Sequence, residues 1–157
     1  MAEVYFYHLT RSTIEGTLSQ ILPRALQAGW RVVVRGRDRA VLDRIDAALW
    51  IAPEEGFLPH GMAGGTHDAG QPVLLTDGTA MSNRPDCLMA VAGAPFAPEE
   101  ASALTRTCVL FDGADPDALA VARDQWRQVT GAGIAAIYWS EESGKWERKR
   151  ESAARAG

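Results

Sequence analysis

The feature that most constrains this chain is the close alternation of β-forming runs and amphipathic helical stretches in its first fifty residues. Glu3 to Leu9, with Val4, Tyr5, Phe6 and Tyr7, predicts a strand. Ser12-Thr13-Ile14-Glu15 is a capping-box pattern that places a helix N-terminus at Thr13. Ile14, Leu18, Ile21, Leu22, Ala25 and Leu26 then recur at helical spacing up to about Ala28, and Gly29 supplies the stop. Pro23 is expected to kink or split that helix. Arg31-Val-Val-Val-Arg35 predicts a buried strand. Asp38 is the expected N-cap of a helix over 39–50, with Val41, Leu42, Ile45, Leu49 and Trp50 inward or at its end. This β-α-β-α order specifies a parallel sheet with helices on its faces.

The rest of the chain extends that pattern. Residues 51–72 are rich in Gly and Pro and read as loop, with a short strand possible near Phe57–Pro59. Strands are expected at 73–76, 87–92 and 107–111, with a short helix opened by Pro98, Glu99 and Glu100 between the last two. Asp115-Pro116 opens a final helix to about Thr130, ended by Gly131 and Gly133, and 134–139 reads as a last strand. The fold class is therefore α/β: one three-layer domain over 1–139 with a mostly parallel sheet. The charged residues 140–157 are expected as a C-terminal tail, frayed or forming an exposed helix.

Composition narrows the function classes. A formal charge of −4 argues against a broad basic footprint on DNA. No apolar run approaches the ~18 residues of a membrane span. The N-terminal residues lack a basic n-region, so no signal peptide is expected and the compartment reads as cytoplasmic. Cys87 and Cys108 sit in apolar runs and read as buried, inert thiols. Of the 16 basic residues only Lys145 and Lys149 are Lys. High-GC coding explains such a skew, and so does selection for groups that grip carboxylates or phosphates in a fixed geometry.

Sites of chemistry are sparse. A dinucleotide fold needs a Gly-x-Gly-x-x-Gly loop after its first strand, but here the loop reads Leu9-Thr10-Arg11-Ser12-Thr13. The Gly-Lys pair of a P-loop occurs only as Gly144-Lys145, followed by Trp146. The topology is thus nucleotide-binding-like without a phosphate-binding loop. His60, His67 and Asp68 form no convergent ligand set, and His60 reads as a structural or interface residue. Neither Cys nor Ser lies in a nucleophile arrangement. Glu54-Glu55 and Glu99-Glu100 suit capping and solvation. No catalytic residue, metal or cofactor is expected.

The last helix is less ordinary. Leu119, Arg123, Trp126 and Thr130 form one stripe, with Arg127 beside it, while Ala118, Val121, Ala122, Gln125 and Val129 form the expected core stripe. That puts Trp126 on or near the surface between two guanidinium groups. Two readings fit: an anchor for an acidic peptide with an aromatic end, or a Trp that covers a neighbouring strand with Arg stems snorkelling around it. Trp50, Phe57 and Pro59 form a second candidate surface, which fits either a partner or a plug for the end of the core.

The segments Ile45-Asp46-Ala47-Ala48-Leu49-Trp50, Pro53, Phe57-Leu58-Pro59-His60 and Ala63-Gly64 resemble the chi-subunit family of bacterial DNA polymerase III holoenzyme. Tyr5-Phe6-Tyr7-His8-Leu9, Gly29-Trp30-Arg31-Val32 and Arg84-Pro85-Asp86-Cys87-Leu88 follow in that family's order, so the resemblance covers about residues 3–139. It implies a non-catalytic replication adaptor. Such a subunit binds the acidic, Phe-ended C-terminal tail of single-stranded DNA-binding protein and links it to the clamp-loader complex through the psi subunit, touching DNA only indirectly. The family's basic-x-x-aromatic-basic pattern on the last helix matches Arg123, Trp126 and Arg127, with Trp in place of the usual Tyr. A Lys found one turn earlier in some members corresponds to Leu119. The psi surface maps to Trp50, Phe57, Pro59 and His60. The resemblance assigns no role to residues beyond Trp139. The alternatives are an unrelated α/β peptide-binding module and a small nucleotide enzyme.

Overall fold

The computed structural model describes residues 2–51, 58–79 and 81–154. Its elements are β1 (Glu3–Leu9), α1 (Ile14–Gln27), β2 (Val32–Arg35), α2 (Arg39–Ile51), β3 (Gly61–Met62), β4 (Val73–Thr76), β5 (Cys87–Val91), α3 (Pro98–Ser102), β6 (Arg106–Asp112), α4 (Pro116–Gly131), β7 (Ala135–Ser140) and β8 (Glu147–Ser152). The strands form one sheet in the order β3-β4-β2-β5-β6-β1-β7-β8. Every pairing is parallel except that of β7 with β8.

Alternation along the strands divides the core into two layers. Val32 and Val34 pack with Leu18, Leu22, Leu42 and Ile45 under α1 and α2. Val33, Val4 and Phe6 pack with Ala118, Ala122 and Val129 under α4. The expected three-layer α/β architecture is what the chain forms. The helix starts follow their local chemistry as well: the Gly16 N–H donates to Thr13 Oγ1 at 2.9 Å, and the Val41 N–H to the Asp38 carboxylate at 3.0 Å. Helix α1 runs unbroken through Pro23, rather than splitting there. Leu22 and Ala25 flank the proline and are both buried, so packing onto the sheet holds the helix together.

Residues 147–152 depart from the frayed tail or helix that charge alone suggests. They return as β8, antiparallel to β7. Gly144 takes a left-handed backbone (φ +97°), the conformation that lets the chain reverse between the two strands. The Ser143-Gly144 pair is a turn signal consistent with this reversal. Charge misled because β8 is an edge strand and keeps most of its side chains in water.

Two carboxylates close the layers. Glu100 of α3 accepts from Arg35, at the end of β2, at 3.1 and 2.8 Å, and also from the Ala97 N–H at 3.0 Å. The Arg35 hydrogen bonds hold the Glu100 carboxyl below its ordinary pKa against the opposing effect of burial. Glu100 therefore caps α3 but is not simply solvated. Glu141, just past β7, reaches the loop between β1 and α1. Its Oε2 accepts from the N–H groups of Thr10, Arg11 and Ser12 at 2.9–3.1 Å, and its Oε1 from Ser12 Oγ at 2.7 Å. Burial pushes the Glu141 carboxyl up, but the bonds from Ser12, Arg11 and Thr10 outweigh it and hold the pKa below the usual value.

A depressed native pKa contributes stability that is present above the unfolded-state value and is lost as pH falls through the native one. Glu141→Gln is therefore expected to cost about 2 kcal/mol at pH 7. In urea titrations the gap to wild type should narrow as pH drops below about 4. An equal gap at both pH values would show that the charge on Glu141 contributes nothing.

Candidate functional site

Helix α4 starts where its sequence dictates. The Asp115 carboxylate accepts from the N–H groups of Asp117 and Ala118 at 3.1 and 3.3 Å, and Pro116 takes the first turn. Its buried face is Ala118, Ala122, Gln125, Trp126 and Val129. Gln125 spends its amide on the Ala94 carbonyl at 3.0 Å. Trp126 thus lies further inward than the helical stripe suggests, only 7% exposed, while Val121 is half-buried. The reason is β1: the Trp126 ring meets Phe6 edge-on at 5.4 Å between centroids and Tyr138 of β7 at 6.0 Å.

What Trp126 still shows to solvent lines a shallow cavity of about 540 Å³. Arg123, Arg127 and Thr130 of α4, Tyr138 of β7, and Lys149 and Arg150 of β8 complete it. Four cations thus surround an aromatic floor, and no carboxylate lines it. Among the described residues, Arg127 pairs with Asp124 at 3.7 Å and Lys149 with Glu147 at 3.9 Å, both exposed, while Arg123 and Arg150 form no ion pair. The Tyr138 hydroxyl is hydrogen-bonded to His8 Nδ1 at 2.8 Å. Burial raises the Tyr138 phenol pKa, and the nearby Arg123 charge opposes that rise. Such a cavity suits an anionic group joined to a flat apolar one.

The structure therefore brings Arg123, Trp126 and Arg127 together but leaves Leu119 outside, half-buried against the core. Tyr138, Lys149 and Arg150 escaped the sequence reading. Tyr138 belongs to a run that reads simply as buried strand, and the two cations belong to a stretch with no apolar alternation to mark it as one.

The second surface is at the end of α2. Trp50 is 57% exposed and its neighbour Ile51 is 79% exposed. Trp50 packs on His60 at 4.9 Å between ring centroids. His60 Nε2 lies 2.9 Å from Asp46 Oδ1 and Nδ1 lies 2.8 Å from the Leu58 carbonyl oxygen, which leaves neither nitrogen for an external ligand. Pro59 is half-buried nearby in the chain, and Phe57 lies outside the described residues.

The crevice at the carboxyl ends of the parallel strands, where open α/β sheets bind nucleotides, carries Glu15, Asp112 and Asp115 beside Arg44. The N–H groups that would cradle a phosphate there already hold Glu141. Both features repel a phosphate. Among the described residues no cluster of His, Cys, Asp or Glu could hold a metal, and no helix is long and apolar enough to cross a membrane.

Residues 1–136 match the family described as DNA polymerase III chi subunit, HolC. The chain is also 34% identical over 64 residues to DNA polymerase III subunit chi of Escherichia coli (strain K12), over 41% of this chain and 44% of that relative. The matched stretch thus spans under half the length of that curated relative. The family match runs from β1 into β7 and stops before β8. On that coverage the chain belongs to the chi-subunit family of DNA polymerase III.

Proposed function

We propose that this chain is a non-catalytic adaptor of the replicase that binds the acidic C-terminal tail of single-stranded DNA-binding protein. It would link that tail, through a psi subunit, to the clamp-loader complex in the bacterial cytoplasm. The observation that carries the reading is the cavity in which Arg123 and Arg127 flank the exposed edge of Trp126 over Tyr138. The terminal aromatic of the peptide rests on Trp126 and Tyr138, and its carboxylates pair with the guanidinium groups. Leu119 sits outside the cavity and contributes only by packing α4. The acid-lined crevice at the strand ends supports an adaptor over a nucleotide enzyme.

Such a contact is small, so an affinity in the micromolar range, about −8 kcal/mol, is expected. It should weaken with salt, and several tails presented together would make it sufficient. Trp50, with Ile51 and Pro59 beside it, is the proposed psi-facing surface, and His60 acts there by holding Trp50.

Fluorescence anisotropy of a labelled acidic peptide ending in Phe should show saturable binding at low salt. Amidation of its terminal carboxyl, or Arg123→Ala in the protein, should weaken binding at least tenfold at unchanged Tm. Equal binding of the free and amidated peptides would remove the carboxylate grip. Trp126→Ala is a poor probe, because truncating a buried Trp costs about 3–5 kcal/mol of stability. Trp50→Ala should leave peptide affinity unchanged and weaken co-purification with psi. Unaltered co-purification would move the psi contact elsewhere.

A further inference from the structure

Strand β8 brings to the cavity chemistry that lies outside the matched family residues. In a regular strand, residues two apart share a face. The β7–β8 register breaks that rule: Tyr138 pairs with Arg150 while Trp139 pairs with Arg148. Lys149 is the extra residue, and the ladder bulges there. Paired residues share a face, so the bulge sends Arg148 and Arg150 to opposite sides of the sheet. The Arg148 guanidinium lies over Trp139 at 5.2 Å from its ring centre, on the α1 side. The Arg150 guanidinium lies over Trp126 at 5.4 Å, on the α4 side, and Lys149 lines the same cavity. A strand without the bulge would aim only one of these two neighbours there.

We propose that β8 is the second cationic wall of the acidic-peptide site, and that the bulge at Lys149 is the device that puts two positive charges on it. This rests on the peptide reading of the α4 cavity. The ligand lies between helix and strand. Arg123 and Arg127 take its terminal carboxylate, and Lys149 and Arg150 take acidic side chains upstream of the terminal aromatic. Charge complementarity argues for this occupant: four cations and no lining carboxylate, in a chain of net charge −4. The patch is also short. Asp124 of α4 and Glu147 of β8, paired with Arg127 and Lys149, bound it, which suits a few acidic residues and opposes a long polyanion such as nucleic acid. A cavity of about 540 Å³ fits that size.

The test uses the full chain and two labelled peptides that end in Phe with a free carboxylate, one with Asp and one with Asn at the upstream positions. The double substitution Lys149→Ala/Arg150→Ala should weaken the Asp peptide about tenfold, flatten its salt dependence, and change the Asn peptide little. Arg148→Ala, which faces the other side, should leave both affinities as in wild type, and Arg123→Ala should weaken both peptides. Should the double variant lower Tm, Lys149→Gln and Arg150→Gln singly carry the test, with losses of about threefold each. Binding of the Asp peptide that Arg123→Ala abolishes and the double variant retains would overturn the β8 wall while leaving the α4 reading intact. Absence of binding to wild type would overturn the α4 reading itself. Displacement of the Asp peptide by a short single-stranded oligonucleotide at equal total charge would make the occupant a nucleic acid and overturn the proposal.

Discussion

The edge-to-face contact of Trp126 with Phe6 is the interaction on which the cavity depends. It fixes the rotation of α4 about its own axis. Rotating α4 by one position would bury Arg127 or expose Gln125, and either leaves a polar group without its partner. With Trp126 seated on β1, residues one turn to either side, Arg123 and Thr130, must face the groove between α4 and β8. The Phe6 ring is in turn held by the parallel pairing of β1 with both β6 and β7. A core contact thus sets the direction in which the surface cations point.

Glu141 distinguishes this sheet from nucleotide-binding sheets of similar topology. Three successive N–H groups after β1 form a nest that favours an anion. Elsewhere that anion is a phosphate. Here it is a carboxylate supplied by the chain itself from the end of β7, with Ser12 Oγ on its second oxygen. The same bonds tie the start of α1 to the segment leading into the β7–β8 turn. The approach to β8, and hence to its cations, is therefore tied to the loop between β1 and α1 through Glu141.

Most of the architecture was legible because local chemistry and global fold agree. Val32-Val33-Val34 can only be a strand covered on both sides, and Thr13, Asp38 and Asp115 start helices where their carboxylate or hydroxyl oxygens meet free N–H groups. Arg123, Trp126 and Arg127 were legible as a group because helical spacing puts them on neighbouring faces. Trp126 was misplaced in depth because periodicity orders residues around a helix without fixing how wide a stripe the neighbouring strand covers. Lys149 and Arg150 were illegible for a different reason. An edge strand whose side chains stay in water shows no hydrophobic alternation, and a bulge reverses whatever alternation there is.

The charge arrangement suits the transient contact proposed for this cavity. Four cations around one cavity repel each other, and at separations within a Debye length of about 8 Å salt screens that repulsion only partly. Arg127 and Lys149 have only long, exposed ion pairs with Asp124 and Glu147, and Arg123 and Arg150 have none among the described residues, so an incoming anion relieves the repulsion that is left. Affinity then comes from charge more than from buried area, which keeps association fast and dissociation easy. An aromatic floor that is mostly buried adds little area to be gained but cannot rearrange, since Trp126 and Tyr138 are held by Phe6 and His8. A rigid apolar floor with solvated arginines around it therefore favours recognition of a short, charged chain end over a tight and permanent interface.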